Sequence, residues 1–547
     1  MSGVVTSQQP ELLPGYSGRG WQIASLLLGV VVFIPLLVLG FSWFDVDVGN
    51  WSHIATTLLP QVLENTAVMI VGISVGVLLL GISLAWLTSM CEFPGRKFFD
   101  WALMLPFAMP AYVLAFVFLG IMDFSGPLQS MVRSLFGLPG NWFVEVRNAA
   151  GIIVVMTLVL YPYVYMLTRV AFLGQGQSVY DAGRSLGLTP FQSFIKVALP
   201  MARPAIIAGL SLALMEALSD FGAVAVFNYD TFTTAIYKAW FGFFDIKMAA
   251  QLATILLMLV LVALIVEKYL RGRSRYDENR SRQWHRIHLQ GSSKWLAFSL
   301  CAIVFSMAFL IPSIQLLAWA WEVIEDLDAR YLELFWHTLV LGVSAAVITV
   351  VGAFILAYNR RINSSRLSAL SVRIGTLGYA LPGSVLAVGV MISLVWVDQR
   401  IADFIESFFT IEMTLVFSGT VIALLLAYFA RFQAVAFGPV DASLEKIRPS
   451  IRDASRSLGA SSWETIRLVY LPMLKPGLLT AALLVLVDTM KEMPATLLLR
   501  PFGWDTLAVR IYEMTSEGEW ERAALPAVAL VLIGLIPVLI LVKKSAK

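Results

Sequence analysis

The sequence predicts an all-α, polytopic membrane protein of about twelve transmembrane helices, arranged as two tandem six-helix units. Three observations lead there. Of the 547 residues, 59% are hydrophobic and only 14% charged, with a mean hydropathy of +0.79, whereas a soluble domain carries about a quarter charged residues. Several apolar stretches exceed the ~20 residues that a helix needs to cross a bilayer. The chain also repeats itself at a fixed offset of 272 residues. Residues 181–204, DAGRSLGLTPFQSFIKVALPMARP, return as residues 453–476, DASRSLGASSWETIRLVYLPMLKP, with eleven of twenty-four positions identical and no gap.

Taken in order, residues 1–20 are polar with Pro and Gly and read as a short cytoplasmic tail. The apolar run after them is too long for a signal-peptide core and lacks a convincing cleavage site. The first unit, 21–268, has expected spans at roughly 21–43, 63–90, 98–122, 148–172, 204–227 and 246–268. A basic cytoplasmic linker, 269–294, follows. The second unit, 295–547, has expected spans at roughly 295–321, 337–358, 369–397, 411–437, 477–498 and 521–543.

Orientation follows from Lys and Arg, which favour the cytoplasmic side. With the N-terminus inside, most of the 39 basic residues fall in cytoplasmic segments, and Lys491 falls within a span. The outer loops are acidic instead, as at Glu322, Glu325, Asp326, Asp328 and Glu333. Both termini are therefore expected in the cytoplasm. Topology alone accounts for the basic linker, and no nucleic-acid partner is expected. The two cysteines, Cys91 at a helix end and Cys301 in an apolar segment, form neither a disulfide framework nor a metal motif.

The 272-residue offset holds beyond the opening repeat. Thr66 aligns with Thr338, and Pro110, Val113, Leu114 and Ala115 align with Pro382, Val385, Leu386 and Ala387. Six spans per unit is an even number, so the two copies share one orientation and are related by a pseudo-two-fold axis along the membrane normal. Whatever they enclose should lie on that axis.

The repeated polar stretch has a readable local structure. A short helix over 181–186 should stop at Gly187. A second helix should start with Thr189 as cap, Pro190 in the first position and Gln192 reaching back to close a capping box. Ser461 and Glu464 repeat the box, Pro200 and Pro472 are expected to end the helix, and Pro204 and Pro476 to open the next span. A pair of ordinary interfacial helices would not require the same Gly, cap and Leu-Pro spacing twice.

Four acidic residues fall well inside expected spans, away from their ends: Glu216, Asp220, Asp488 and Glu492. The offset pairs Glu216 with Asp488 and Asp220 with Glu492. Four-residue spacing puts each pair on one helix face. A carboxylate near a span centre costs about 2.5–3.5 kcal/mol on insertion scales, so paying twice at matched positions predicts a shared polar path. Oxygen ligands suit hard, highly charged cations. The plainer reading is that these groups pair with Lys491, three residues from Asp488, cap helix ends or bind water.

The repeated stretch resembles the EAA loop of binding-protein-dependent ABC importer permeases, E-A-A, three residues, G, nine residues, I, one residue, L-P. Here it reads Asp181-Ala182-Gly183, Gly187, Val197, Leu199-Pro200, and again Asp453-Ala454-Ser455, Gly459, Val469, Leu471-Pro472. The spacing is kept and the replacements are conservative. The resemblance covers nearly the whole chain as two fused type I permease units. It implies that Asp181, Ala182, Gly187, Leu199, Pro200, Asp453, Ala454, Gly459, Leu471 and Pro472 belong to coupling helices that dock on ATPase subunits. The segments from Ser219, SDFGAVAVFNYDTFTTAIYKAWFG, and from Lys491, KEMPATLLLRPFGWDTLAVRIYE, look like those of ferric-iron permeases.

That likeness implies a multi-pass protein of the bacterial inner membrane, served by a periplasmic binding protein and two copies of an ABC ATPase, that moves Fe(III) by alternating access. Glu216, Asp220, Asp488 and Glu492 would line the substrate pathway and contact the metal. The chain has no G-x-x-x-x-G-K-[ST] phosphate loop and no Gly-Lys dipeptide. It is thus expected to be a transport subunit without a cofactor of its own, with ATP and Mg held by the partner. Among cargoes, a cationic organic solute such as thiamine or a polyamine is the alternative; an oxyanion fits the acidic spans poorly. In a second class, a proton-coupled secondary transporter would use the carboxylates as relays but leaves the duplicated cytoplasmic helices without a purpose.

Overall fold

A bilayer supplies no hydrogen bonds to the backbone, so a chain this apolar must satisfy its peptide groups internally, as helices. The computed structural model describes residues 17–44, 48–185, 187–271, 286–363, 365–409 and 416–545. Residues 1–16 of the expected tail, most of the expected linker (272–285) and Leu186 lie outside them. Among the described residues, twelve helices are long and apolar enough to cross a membrane. The one β pairing among them joins Cys91–Glu92 to Ile287–His288 in parallel, fastening the end of the linker beside the second span.

The first unit contributes α1 (Ser17–Phe41), α2 (Leu58–Met90), α3 (Ala111–Met122), α4 (Ala149–Ser185), α5 (Leu199–Ser219) and α6 (Ile246–Arg271). The second contributes α7 (Ser292–Glu322), α8 (Ala329–Ile362), α9 (Gly383–Phe409), α10 (Val421–Glu445), α11 (Leu471–Lys491) and α12 (Trp520–Ser545). Side chains such as Val71, Leu79 and Ile265 are more than half exposed, as a surface solvated by lipid tails allows.

Four expectations need correction. The third and ninth spans are not single helices. Arg96–Ala102 and a 3-10 turn over Leu105–Ala108 precede α3, and Arg366–Gly375 and a 3-10 turn over Leu377–Ala380 precede α9. The breaks fall just before Pro110 and Pro382, where the residue ahead of a proline is held out of the helical region. Secondly, α4 does not stop near 172 but runs on to Ser185, so the backbone of Asp181 and Ala182 continues the span. The second copy does break, because Pro449 opens a separate helix, Pro449–Ser457, after α10; the equivalent residue of the first copy is Gln177.

Thirdly, Pro200 and Pro472 do not end the capped helices. The chain passes through wide π turns, Phe194–Ala198 and Thr465–Tyr470, directly into α5 and α11. Such a turn absorbs the hydrogen bond that proline cannot donate. Finally, the spans expected to reach 227 and 498 break at Asp220 and Glu492, both extended residues at the ends of α5 and α11. Short helices Gly222–Val226 and Pro494–Leu499 follow.

The sequence offers no sign of which unit the first span of each half joins. α1 packs on the second unit: Ser25 and Ser371 hydroxyls meet at 2.6 Å, Asn363 donates to the Gly18 carbonyl at 2.9 Å, and Trp21 lies edge-on to Tyr358. α7 packs on the first unit, where Phe298 meets Phe99 and Trp319 lies parallel to Phe116. The two units are therefore interlocked at their peripheries while α5 and α11 face each other across the middle.

Candidate functional site

The segments before α5 and α11 carry the local geometry expected of them. Gly187 and Gly459 adopt left-handed φ of 78° and 86°, a region L-residues enter at a cost of roughly 1–2 kcal/mol. A Cβ at either would meet nothing within 4 Å, so glycine is required for the turn and not for space. Thr189 and Gln192 form a reciprocal capping box, with the Thr189 N–H donating to Gln192 Oε1 at 3.1 Å and the Gln192 N–H to Thr189 Oγ1 at 3.3 Å. Ser461 and Glu464 repeat it at 2.8 and 3.2 Å. Around the second copy, Leu458 is 89% and Trp463 64% exposed, so an apolar edge faces outward from these turns. Leu199, Pro200, Leu471 and Pro472 form the first turns of α5 and α11, and Asp453 and Ala454 lie on Pro449–Ser457.

Seventeen residues further along each helix, about 26 Å at 1.5 Å per residue, stand Glu216 and Asp488. Both face a cavity of about 200 Å³ between the two units, which Asp220, Glu492, Arg431 and Lys491 also line. The structure thus brings all four predicted carboxylates to one place, but their commitments differ. Asp220 Oδ1 accepts from the Ala223 and Val224 N–H groups at 2.8 and 3.4 Å, capping the short helix after the break. Glu492 Oε1 accepts likewise from the Ala495 N–H at 3.2 Å. Glu492 Oε2 also pairs with Arg431 Nε at 3.1 Å, the two side chains only 5% and 12% exposed. The Arg431 Nη1 donates in addition to the Leu381 carbonyl at 3.2 Å.

Glu216 and Asp488 have no hydrogen bond or ion pair among the described residues. The ion pair expected between Asp488 and Lys491 does not form. Lys491 Nζ donates instead across the unit boundary to the Phe107 carbonyl at 3.2 Å. No three His, Cys, Asp or Glu among the described residues come close enough together to hold a metal ion, so the four carboxylates line one cavity and do not form one chelating cluster.

Sequence reasoning missed Arg431. A single Arg in the apolar run LLLAYFARFQAVAF was a signal, but its counterpart 272 residues earlier is Val159, so a search for matched charges looks past it. Gly383, the counterpart of Ala111, was missed too. A Cβ there would overlap Glu492 Oε1 and stand 2.9 Å from Arg431 Nη1, so only glycine admits this ion pair at the start of α9. Of the tyrosines of the fourth span, Tyr163 reaches the cavity. Tyr161 and Tyr165 are fully buried and donate to the Leu103 and Asp100 carbonyls. Trp240 stacks on Phe241. On the side of the cavity away from the capped turns, Phe221 lies 5.2 Å from Tyr237 and 5.3 Å from Tyr512 of the other unit.

The profile of the binding-protein-dependent transport system inner membrane component family matches the chain twice, over residues 77–275 and 349–544. The chain belongs to this family. It is an ABC importer permease of type I in which two permease units are fused, and a proton-coupled secondary transporter is thereby set aside. The permease is 28% identical over 534 residues to the Fe(3+)-transport system permease protein FbpB 2 of Haemophilus influenzae, covering 95% of this chain and 97% of that protein. It is also similar to the sulfate transport system permease protein CysT of Escherichia coli, at 27% over 222 residues (39% of this chain, 75% of that one). The molybdenum transport system permease protein ModB of the same organism is 28% identical over 201 residues, 36% of this permease and 86% of ModB. The family is one of multi-pass inner-membrane components that work with a substrate-binding protein and an ATPase.

Proposed function

We propose that this permease carries Fe(III) from a periplasmic binding protein to the cytoplasm, and that the ion passes between Glu216 and Asp488. The observation that carries this reading is the state of the charges around the cavity. Both cations are engaged, Arg431 by Glu492 and Lys491 by a backbone carbonyl, whereas two carboxylates, one from each unit, have no such partner among the described residues. A passage with uncommitted anions and committed cations favours a cationic cargo over an oxyanion. Hard oxygen donors favour a hard ion, and the likeness to a full-length Fe(3+) permease supports the same cargo over the sulfate and molybdenum relatives.

In this reading both termini are cytoplasmic and the two capped turns dock on two copies of an ABC ATPase, which bind ATP and Mg. Outward-facing Leu458 and Trp463 suit such an interface. Closure of the ATPase pair would move the turns, and the continuous helices from the π turns through α5 and α11 would carry the movement to the carboxylates as a rigid-body switch. The test is uptake of radiolabelled Fe(III) in an iron-limited, siderophore-free strain lacking this chain, with and without the gene restored, and with unlabelled thiamine, putrescine, sulfate and molybdate as competitors. Restored, ATP-dependent uptake that is indifferent to the competitors supports the proposal. Absence of restored iron uptake with the partner subunits present rejects the ferric cargo.

A further inference from the structure

A second cleft, of about 380 Å³, lies within the first unit between α2, α5 and α6. On α5 it is lined by Ile207, Leu210, Ser211, Leu214 and Leu218, whose spacing of three and four residues makes one stripe along the helix. Glu216 is two residues from both Leu214 and Leu218, about 200° around a helix of 3.6 residues per turn. α5 therefore shows one face to the carboxylate-lined cavity and the opposite face to this cleft. The remaining walls are nearly all aliphatic, and Val262, Val266 and Leu270 of α6 are half-exposed at its edge. The cleft thus opens sideways, toward the lipid that surrounds the spans.

The duplication shows how the cleft arises. In the second unit α8 meets α11 so closely at Gly342 that a Cβ there would stand 2.8 Å from Leu486 Cδ1, and the Thr338 hydroxyl accepts from the Leu507 N–H at 3.0 Å. The counterpart of Gly342 is Ile70, which puts a branched side chain on the cleft wall between α2 and α5. The counterpart of Thr338 is Thr66, whose hydroxyl is buried at the cleft without a partner among the described residues. Where the second unit has Leu339, Leu483 and Leu535, the first has Ala67, Ser211 and Ala263, all three on the cleft wall. The first unit is thus held open and its filling side chains are cut short. An apolar concavity of this size is within the range that holds small ligands, about 300–1,000 Å³.

We propose that the cleft holds one acyl chain of an anionic phospholipid, drawn from the leaflet on the side of the capped turns, with the headgroup beside Arg203 and Lys268. Leu218 follows Ile207 by eleven residues, about 16 Å at 1.5 Å per residue. That is close to half of the ~30 Å hydrocarbon core, the depth of one leaflet. The end near the capped turns is polar. Arg203 is exposed and stands four residues before Ile207, on the same face of α5. Lys268 is exposed beside Glu267, the one acidic residue on the cleft wall. Two cations against one carboxylate favour an anionic headgroup, since Lys and Arg at the membrane surface attract such lipids. A chain seated here backs α5 on the face opposite Glu216. The inference does not depend on which cargo the permease moves.

The test uses the complete transporter, with its ATPase and binding protein, in proteoliposomes that contain a trace of phosphatidylglycerol with a diazirine in one acyl chain. After illumination, labelled peptides are mapped by mass spectrometry. Wild type should be labelled most strongly on the cleft-facing residues of α2, α5 and α6. Labelling there should fall about fivefold or more when A67L, S211L and A263L together install the second unit's leucines. It should be unchanged in Val347→Leu, at an exposed position of α8. A phosphatidylcholine probe with the same chain should label the cleft about fivefold less, and R203Q with K268Q should erase that difference. Labelling of wild type spread evenly over all lipid-facing helices would overturn the inference and leave only the ordinary lipid shell; this outcome needs no variant to fold. Undiminished cleft labelling in a folded triple-leucine transporter would overturn it too. Equal labelling by the two probes would overturn the anionic headgroup.

Discussion

The capped turns and the cavity walls lie at opposite ends of the same two helices, α5 and α11, yet they keep the duplication to different degrees. At the turns the two copies agree in dihedral angle and hydrogen bonding: Gly187 with Gly459, and the Thr189–Gln192 box with the Ser461–Glu464 box. At the cavity only the carboxylates agree. Arg431 stands opposite Val159, Lys491 opposite Ser219, Gly383 opposite Ala111 and Ser384 opposite Tyr112. Under the proposed docking, two sites for one kind of subunit would select for matching turns. The cavity is lined by both units, and in the proposed reading it is one shared site, so each wall is free to specialise. Here the second unit carries both cations of the cavity, Arg431 and Lys491.

The largest test of this contrast is the Arg431–Glu492 pair. Removing one partner of a buried ion pair costs about 3–5 kcal/mol. Glu492→Ala should therefore lower the unfolding midpoint sharply. Asp220→Ala, which loses a helix cap but no ion pair, should cost about 1 kcal/mol. Equal midpoints for the two variants would show that the asymmetry has no energetic content. Gly383→Ala comes next: the added Cβ must displace Glu492, and overpacking of this kind costs about 1–3 kcal/mol. The mirror change, Ala111→Gly, should cost no more than about 1 kcal/mol.

The turns should respond symmetrically. Gly187→Val and Gly459→Val each force a branched residue into the left-handed region at roughly 1–2 kcal/mol. Uptake should be lost in both while membrane insertion persists, and asparagine, which tolerates that region better, should retain more activity. Normal uptake in either valine variant would count against coupling through that turn. The smallest effects belong to the caps, where Thr189→Ala and Ser461→Ala should each cost about 1 kcal/mol and, by symmetry, the same amount.

The sequence made the twelve spans, the two units and both capping boxes readable, because hydropathy and cap chemistry are local. Its errors arose where local signals conflict with three-dimensional context. Pro200 and Pro472 look like helix stops, yet π turns carry the chain through them. Asp220 and Glu492 look like interior helix residues, and no breaker precedes them. The break is legible only afterwards, in Gly222 and in Pro494 at the start of a new helix. The packing of α1 and α7 on the opposite units leaves no trace in a chain whose lipid-facing and helix-facing surfaces are equally apolar. Arg431 is legible as a lone Arg in an apolar run, but its pairing with Glu492 joins two distant helices and leaves no local mark in the sequence.

The central claim is that Glu216 and Asp488 meet the cargo, and the most direct measurement is Fe(III) import by the reconstituted transporter carrying Glu216→Gln and Asp488→Asn together. Both changes keep the side-chain size and remove only charge, and neither residue has a hydrogen-bonded partner among those described, so the fold should be undisturbed. The account predicts import reduced by tenfold or more (about 1.4 kcal/mol or more), with an unchanged unfolding midpoint and ATP hydrolysis that still responds to the binding protein. Import with the rate and iron affinity of the wild type would contradict it, and would leave the two carboxylates as bystanders on the cavity wall.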